Sequence, residues 1–213
     1  MILPPLVAIC DADAGAAAGW SLIDLARAFL GGGARLLQVR AKRASSGWLL
    51  DTSSAIVALA REAGASVIVN DRADVARLSG AMGVHLGQDD LSPASGRAIV
   101  GPDAAIGLST HTRDQFRAAL AEPIDYVAIG PIYGTTTKAT GYDPVGLDRV
   151  AAASAEARGR GLPLVAIGGI TLSRTPEVIA AGADAVAIIG DLLAGGDPER
   201  RVRAFVTALG RTE

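Results

Sequence analysis

Polar residues in this chain gather just beyond short apolar runs, and the densest gathering follows the run Tyr126 to Ile129. Gly130-Pro131 ends that run, and Thr135, Thr136, Thr137 and Lys138 follow as three hydroxyls and one ammonium. Such a loop suits an anion, since hydroxyls donate hydrogen bonds and the ammonium supplies countercharge. A solvated turn has the same composition, so the loop acquires meaning only from the other run ends.

In the run Ala34 to Arg40, Gln38 and Arg40 stand two apart, and on a strand they share one face while Leu37 and Val39 take the other. A polar pair in an otherwise apolar strand points to a site, whereas Lys42 and Arg43 just beyond read equally well as a basic turn in water. Asn70 and Asp71 end the next run, and Asp89 and Asp90 follow the one after. Adjacent strands lie roughly 5 Å apart, so Asp71 and either Asp89 or Asp90 can approach one cation. Oxygen ligands without a Cys or His cluster suit Mg2+, which commonly takes one or two carboxylates and completes its shell with water and substrate phosphate. Helix capping is the competing use of Asp71 and Asp90.

Ser109, Thr110 and His111 follow a further run, with His111 open to an acid–base or a structural role. Gly168-Gly169 and Ile189-Gly190 end the last two runs. Glycines there serve either as a backbone cradle for phosphate or as ordinary tight turns. A diphosphate bound with Mg2+ between the aspartates would leave negative charge, which Arg40, Lys42 and Lys138 can offset. No Ser-His-Asp set is apparent, and the single cysteine, Cys10, reads as a packed thiol. The residues suit electrostatic stabilisation of a departing anion better than covalent attack.

The elements that carry these residues alternate. Apolar runs at Leu6–Cys10, Ala34–Arg40, Ser66–Val69, Gly83–Leu86, Ala104–Leu108, Tyr126–Ile129, Pro163–Ile167 and Asp184–Ile189 predict eight strands. Helical spacing over Ser21–Leu30, Trp48–Ala63, Ala73–Leu78, Pro93–Val100, Thr112–Ala121, Val145–Arg158, Thr175–Ala181 and Asp197–Leu209 predicts eight helices between and after them. Ser21 caps the first, and Gly31-Gly-Gly33 stops it. Short, continuously apolar strands alternating with helices indicate parallel strands covered by helices, and eight units predict closure into a (β/α)8 TIM barrel. An open doubly wound sheet would carry a Gly-x-Gly-x-x-Gly turn after an early strand, but the glycine triplet precedes a strand.

The 213 residues, half of them apolar, are read as one domain over residues 1–213. A formal charge of -2 offers no basic field for nucleic acid or an anionic membrane, so small molecules are the expected partners. The longest stretch without Asp, Glu, Lys or Arg, Gly161 to Ser173, falls short of the roughly 20 residues a bilayer span requires. The opening Met1-Ile-Leu-Pro-Pro lacks a signal peptide's basic region, and the cytoplasm is the expected compartment. The oligomeric state is left open, a homo-oligomer included.

Six segments, Gln38-Val-Arg-Ala-Lys42, Val69-Asn-Asp-Arg72, Gly83-Val-His-Leu-Gly-Gln-Asp-Asp90, Gly107-Leu-Ser-Thr-His-Thr112, Ile129-Gly-Pro-Ile-Tyr-Gly-Thr-Thr-Thr-Lys138 and Val165-Ala-Ile-Gly-Gly-Ile-Thr171, resemble in order the motifs of the thiamine phosphate synthase family. The resemblance implies a Mg2+-dependent transferase that joins hydroxymethylpyrimidine diphosphate to thiazole phosphate through a pyrimidinylmethyl cation. It implies Asp71 and Asp90 as metal ligands, and Gln38, Arg40, Lys42, Asn70 and Lys138 around the diphosphate or pyrimidine. Ser109 would lie against the pyrimidine, with Thr135, Thr137, Gly169 and the backbone at Ile189 and Gly190 around the thiazole phosphate. The chain departs from the family pattern at Val7, Ala41, Gly134 and Gly190, the last in place of a phosphate-binding serine. A thiazole tautomerase and a non-catalytic binder of a phosphorylated thiamine precursor are the rival readings. The set Asp71, Asp90, Lys42 and Lys138 favours the synthase, because proton transfer without diphosphate release has no use for all four.

Overall fold

A computed structural model of the chain describes residues 3–134 and 141–210. Its strands are β1 Leu6–Asp11, β2 Leu36–Arg40, β3 Ser66–Asn70, β4 Gly83–Leu86, β5 Ala105–Thr110, β6 Tyr126–Ile129, β7 Leu164–Ile167 and β8 Ala185–Ile188. They pair in parallel in chain order, and β8 closes on β1, giving the expected barrel. The helices are α1 Ala12–Ala17, α2 Leu22–Gly31, α3 Ser46–Glu62, α4 Ala73–Ser79, α5 Pro93–Val100, α6 Arg113–Ala119, α7 Gly146–Arg158, α8 Thr175–Ala180 and α9 Pro198–Leu209.

Alternation along each strand sorts side chains into two apolar layers. Ala8, Cys10, Leu37, Val39, Val67 and Val69 face outward and pack with the helices, whereas Val7, Ile9, Leu36, Ile68, Tyr126, Ala128 and Val165 fill the interior. Local chemistry sets the helix starts: Ser21, Ser45, Ser92, Thr112 and Asp197 each accept a hydrogen bond from a backbone N–H in the first turn. Pro93 and Pro198 sit where a missing N–H costs nothing.

The structure adds two elements absent from the sequence expectation, α1 and a 3-10 turn over Gly190–Leu193. The segment Ala12–Ala17 is too short and too uniformly small to show an apolar stripe, and its start depends on Asp11, whose side chain caps it at Ala14 N. Strand β5 also runs two residues further than expected, so Ser109 and Thr110 are strand residues, with Thr110 Oγ1 donating to Ala128 O at 2.8 Å.

Opposite the mouth, polar ties fix the strand starts. Asp125 Oδ2 accepts from Ile106 N at 2.7 Å and from Arg97 Nη2 at 2.6 Å, and Asp184 Oδ2 accepts from Leu164 N at 2.8 Å. Inside the barrel, the Tyr126 ring occupies the space that a side chain on Gly107 would need, since a Cβ there would lie 2.0 Å from Tyr126 Cζ. We expect Gly107→Ala to destabilise the fold by at least about 1–3 kcal/mol, the usual cost of overpacking. Denaturant titration should show a smaller cost in a Tyr126→Leu background, because the two residues compete for one volume.

Candidate active site

The carboxyl ends of the strands form a mouth with two distinct halves. On the β1–β4 side, charged groups meet in pairs. Strand register sets Asp11 opposite Arg40, and the two form a buried ion pair in which Asp11 Oδ2 accepts from Arg40 Nη1 while Asp11 Oδ1 caps α1. Arg40 is therefore not the uncommitted countercharge that its sequence position suggested. Lys42 lies in an exposed turn, and its Nζ is 3.0 Å from Asp71 Oδ2, so it is both solvated and paired. Arg43 does fit the solvated reading, being largely exposed and paired with Asp13.

Asp71 is the one non-glycine among the described residues with positive φ, 65°, in the left-handed region that Asp and Asn tolerate better than most. Its N–H donates to His85 O at 2.8 Å, which ties the turn after β3 to β4. Its carboxyl lies within hydrogen-bonding reach of that of Asp90. Asp90 Oδ2 accepts from Gly87 N at 2.7 Å, and a Cβ on Gly87 would come within 2.9 Å of the same oxygen. Asp90 is the one of the two that neighbours Asp71, while Asp89 is exposed. Neither Asp71 nor Asp90 caps a helix: α4 starts at Arg72 without a side-chain cap, and α5 is capped by Ser92. Burial and the facing Asp90 carboxyl push the Asp71 carboxyl above its usual range, with Lys42 opposing them. Asp11 is thus paired with Arg40, whereas Asp71 and Asp90 face one another with Lys42 as the ion-pair partner of Asp71.

Beneath the mouth, Gln38, Arg40, Asn70 and Ser109 line a 30 Å³ cavity. His85 crosses its floor, with Nδ1 2.8 Å from Tyr126 Oη and Nε2 2.8 Å from Ser109 Oγ. In a neutral imidazole one nitrogen donates and the other accepts, and hydroxyl partners can satisfy either arrangement. Gln88 Nε2 donates to Ser109 O at 2.7 Å, so Ser109 is held through both its side chain and its backbone.

The β5–β8 half holds a 320 Å³ cavity whose lining includes Ser109, Gly169, Ile189 and Gly190. Ser109 and Ile189 line both cavities, so the two adjoin. Gly168 and Gly169 have φ of 100° and 64°, and added Cβ atoms would strike Pro131 and the backbone of Gly134. Close backbone approach, not only turn geometry, requires glycine there. His111 also lines this cavity. Its Nδ1 lies 2.6 Å from Gly130 O, and because a carbonyl only accepts, Nδ1 carries the hydrogen. The ring stacks on Tyr142 at 4.4 Å. Thr135, Thr137 and Lys138 lie outside the described residues.

Three residues escaped the sequence reading. Asp11 follows directly from an apolar run and was detectable by the strand-end rule. Asp191 follows Gly190 directly at the end of β8 and was within reach of the same rule, whereas Arg174 lines the larger cavity from beyond the glycine turn, where no spacing singles it out.

A closed barrel of eight parallel strands with cavities at its carboxyl-end mouth defines the (β/α)8 class, in which that mouth is the habitual site of chemistry. Within that class, the sequence matches the thiamine monophosphate synthase family over residues 6–192. The thiamine-phosphate synthase of Koribacter versatilis is 43% identical over 97% of this chain and 96% of its own. That of Anaeromyxobacter dehalogenans is 48% identical over 82% of this chain and 77% of its own. The structure of a thiamine phosphate pyrophosphorylase from Pyrococcus furiosus superposes with a TM-score of 0.87 at 26% identity, covering 97% of this chain and 95% of that one. The chain belongs to the thiamine monophosphate synthase family.

The facing carboxylates carry a stability signature. A carboxyl whose folded pKa lies above its unfolded value costs no stability while protonated in both states, and the cost grows as pH rises from the unfolded pKa through the folded one. In chelator, Asp71→Asn should therefore melt above the parent at pH 7, with the difference shrinking toward pH 4. Asparagine also tolerates the left-handed backbone, so a lower melting temperature at pH 7 would contradict this account of the pair.

Proposed function

We propose that the protein joins hydroxymethylpyrimidine diphosphate to thiazole phosphate, releasing diphosphate and forming thiamine phosphate. Family membership supports the reaction class. The observation that carries the assignment of the mouth is the meeting of Asp71, Asp90 and Lys42 at its rim, beside a cavity large enough for a second substrate.

The chemistry asks for little covalent help. The carbon–oxygen bond to the diphosphate breaks with both electrons leaving on oxygen, and the thiazole nitrogen lone pair then forms the new carbon–nitrogen bond to the pyrimidinylmethyl carbon. No nucleophile from the protein is consumed. What the protein must supply is a fixed geometry and stabilisation of the charge that develops on the departing oxygen. Lys42 and Lys138 supply countercharge, and Arg40 lies rigidly against Asp11 with its remaining N–H groups available to phosphate oxygens. Gln38 and Asn70 fix the pyrimidine or its diphosphate, and Ser109, steadied by His85, lies against the ring. Thr135, Thr137, Gly169 and the backbone at Ile189 and Gly190 receive the thiazole phosphate.

Asp71 and Asp90 fit Mg2+. Among the described residues, no group of three or more His, Cys, Asp or Glu is placed to hold a metal, so two carboxylates with water and substrate oxygen completing the shell match the habit of this ion. When bound, Mg2+ supplies neutralising charge to the leaving diphosphate. We further propose a single-domain cytoplasmic enzyme of small molecules. The formal charge of -2 supports the absence of a nucleic-acid partner, and no helix among the described residues is long and apolar enough to cross a membrane.

Diphosphate release by purified protein, given both substrates with Mg2+ and then with chelator, tests this reading. Release that requires both substrates and metal, matched by thiamine phosphate, is the expected result; thiazole phosphate binding with no release would favour a tautomerase or a sensor. Asp71→Ala and Lys138→Ala should each lower turnover by at least about a hundredfold while the fold persists, as loss of a charge that acts on a developing anion does elsewhere. Near-normal rates in both variants would sink the proposed charge roles.

A further inference from the structure

A phosphate monoester in the larger cavity needs more than backbone amides, because its two negative charges must be offset in a partly enclosed space. Two features make this acute here. Position 190 is glycine and offers no hydroxyl. Among the described residues the one carboxylate lining the cavity, Asp191, is already committed, since its Oδ2 accepts from Arg201 Nη2 at 2.6 Å and from Leu172 N at 2.9 Å. It neither repels an incoming phosphate at full strength nor attracts one.

Among the described residues Arg174 is the arginine that lines this cavity, and two contacts hold it at the rim. Its Nη1 donates to Gly169 O at 2.8 Å, so the guanidinium is bonded to one of the glycines that form the turn. The guanidinium lies over the Tyr133 ring, 4.4 Å from its centroid. Tyr133 is itself fixed by donating to Glu177 Oε1 at 2.6 Å, and partial burial with the Glu177 carboxylate raises its pKa to about 12, so it remains a donor at neutral pH. Arg174 makes no ion pair among the described residues, and its contact with Gly169 uses only one of five N–H donors. A cation positioned by stacking and a carbonyl, with no carboxylate partner among the described residues, resembles an anion receptor more than a structural arginine, which would be expected to spend its charge on a carboxylate.

We infer that Arg174 determines specificity for the phosphorylated form of the second substrate, supplying across the β7–α8 turn the countercharge that Gly190 cannot. The inference rests on the thiamine phosphate reading of the cavity. It assigns Arg174 to binding of the phosphate and not to the bond-breaking step, which belongs to the opposite half of the mouth.

The test compares Arg174→Met, which keeps length and contact with Tyr133, and Arg174→Lys, which keeps charge without the planar fork. For each, KM is measured for thiazole phosphate, for the thiazole alcohol lacking phosphate, and for the pyrimidine diphosphate. Arg174→Met should raise KM for thiazole phosphate on the order of ten- to a hundredfold, with Arg174→Lys in between, while KM for the alcohol and the pyrimidine diphosphate stays near the parent value. Equal increases for both thiazoles would mean that Arg174 merely shapes the rim through Tyr133, and would overturn the inference. So would a KM for thiazole phosphate within twofold of the parent in Arg174→Met. If the parent protein forms no thiamine phosphate, the synthase reading has failed, and titration of inorganic phosphate into parent and Arg174→Met decides the inference by itself. Weaker phosphate binding in the variant supports it; equal binding, or none to either protein, overturns it.

Discussion

Closure of eight parallel strands in fixed register is the constraint on which everything at the mouth depends. Once Val7 pairs with Leu36 and the pairing runs up to Asp11 with Arg40, the inward or outward direction of every β1 and β2 side chain is decided, because a one-residue slip would reverse them all. The outward set, Ala8, Cys10, Leu37 and Val39, has no polar group that could tolerate the interior exchange, so the apolar pattern and the site pattern enforce the same register. The same logic places His85 beside Asn70 on the β3–β4 seam and Ser109 beside Ala128 on the β5–β6 seam. A polar floor is thereby assembled from residues far apart in sequence without any loop having to search for its position.

Within that frame the charges are held by one another. Arg40 and Asp11 are both largely buried, and burying either alone would be costly, so each justifies the other's position. The Lys42–Asp71 pair is more exposed and correspondingly weaker, which suits the exchange of partners that the proposed function asks of it. Asp71 is also held in a left-handed backbone conformation and pressed toward Asp90. Strain and repulsion of this kind are tolerated where a site must be ready for a ligand, and the barrel beneath is rigid enough to maintain both.

The degree to which this was readable from residues alone follows the range of the interaction. Gln38 and Arg40 were legible because alternation is a period-two signal within five residues, and the barrel was legible because eight such signals recur in order. The partner of Arg40 was not, since Asp11 acquires its role from a neighbouring strand and from the first turn of α1, a helix whose small residues give no stripe. The choice between Asp89 and Asp90 depended on which of them neighbours Asp71, a contact with no sequence signature. Arg174 looked like any exposed basic residue at a helix start, and only the cavity wall and the Tyr133 ring distinguish it. The ordered motifs named the family; they did not show which cations are already spent.

The distribution of committed and uncommitted charge divides the labour across the mouth. On the β1–β4 side, charges meet in pairs, and the Asp71 and Asp90 carboxyls face one another. On the β5–β8 side, among the described residues, the one lining carboxylate is paired with Arg201, the wall is largely backbone and aliphatic, and the one lining arginine makes no ion pair. Under the proposed function, the diphosphate and its metal belong to the first side and the phosphate monoester to the second. Ser109 lies where the two cavities meet, bonded to His85, which in turn is bonded to Tyr126, so under the proposed function the two substrates would meet above a hydrogen-bonded floor. That arrangement lets the two halves recognise different anions independently while the distance between their ligands is set by the barrel itself.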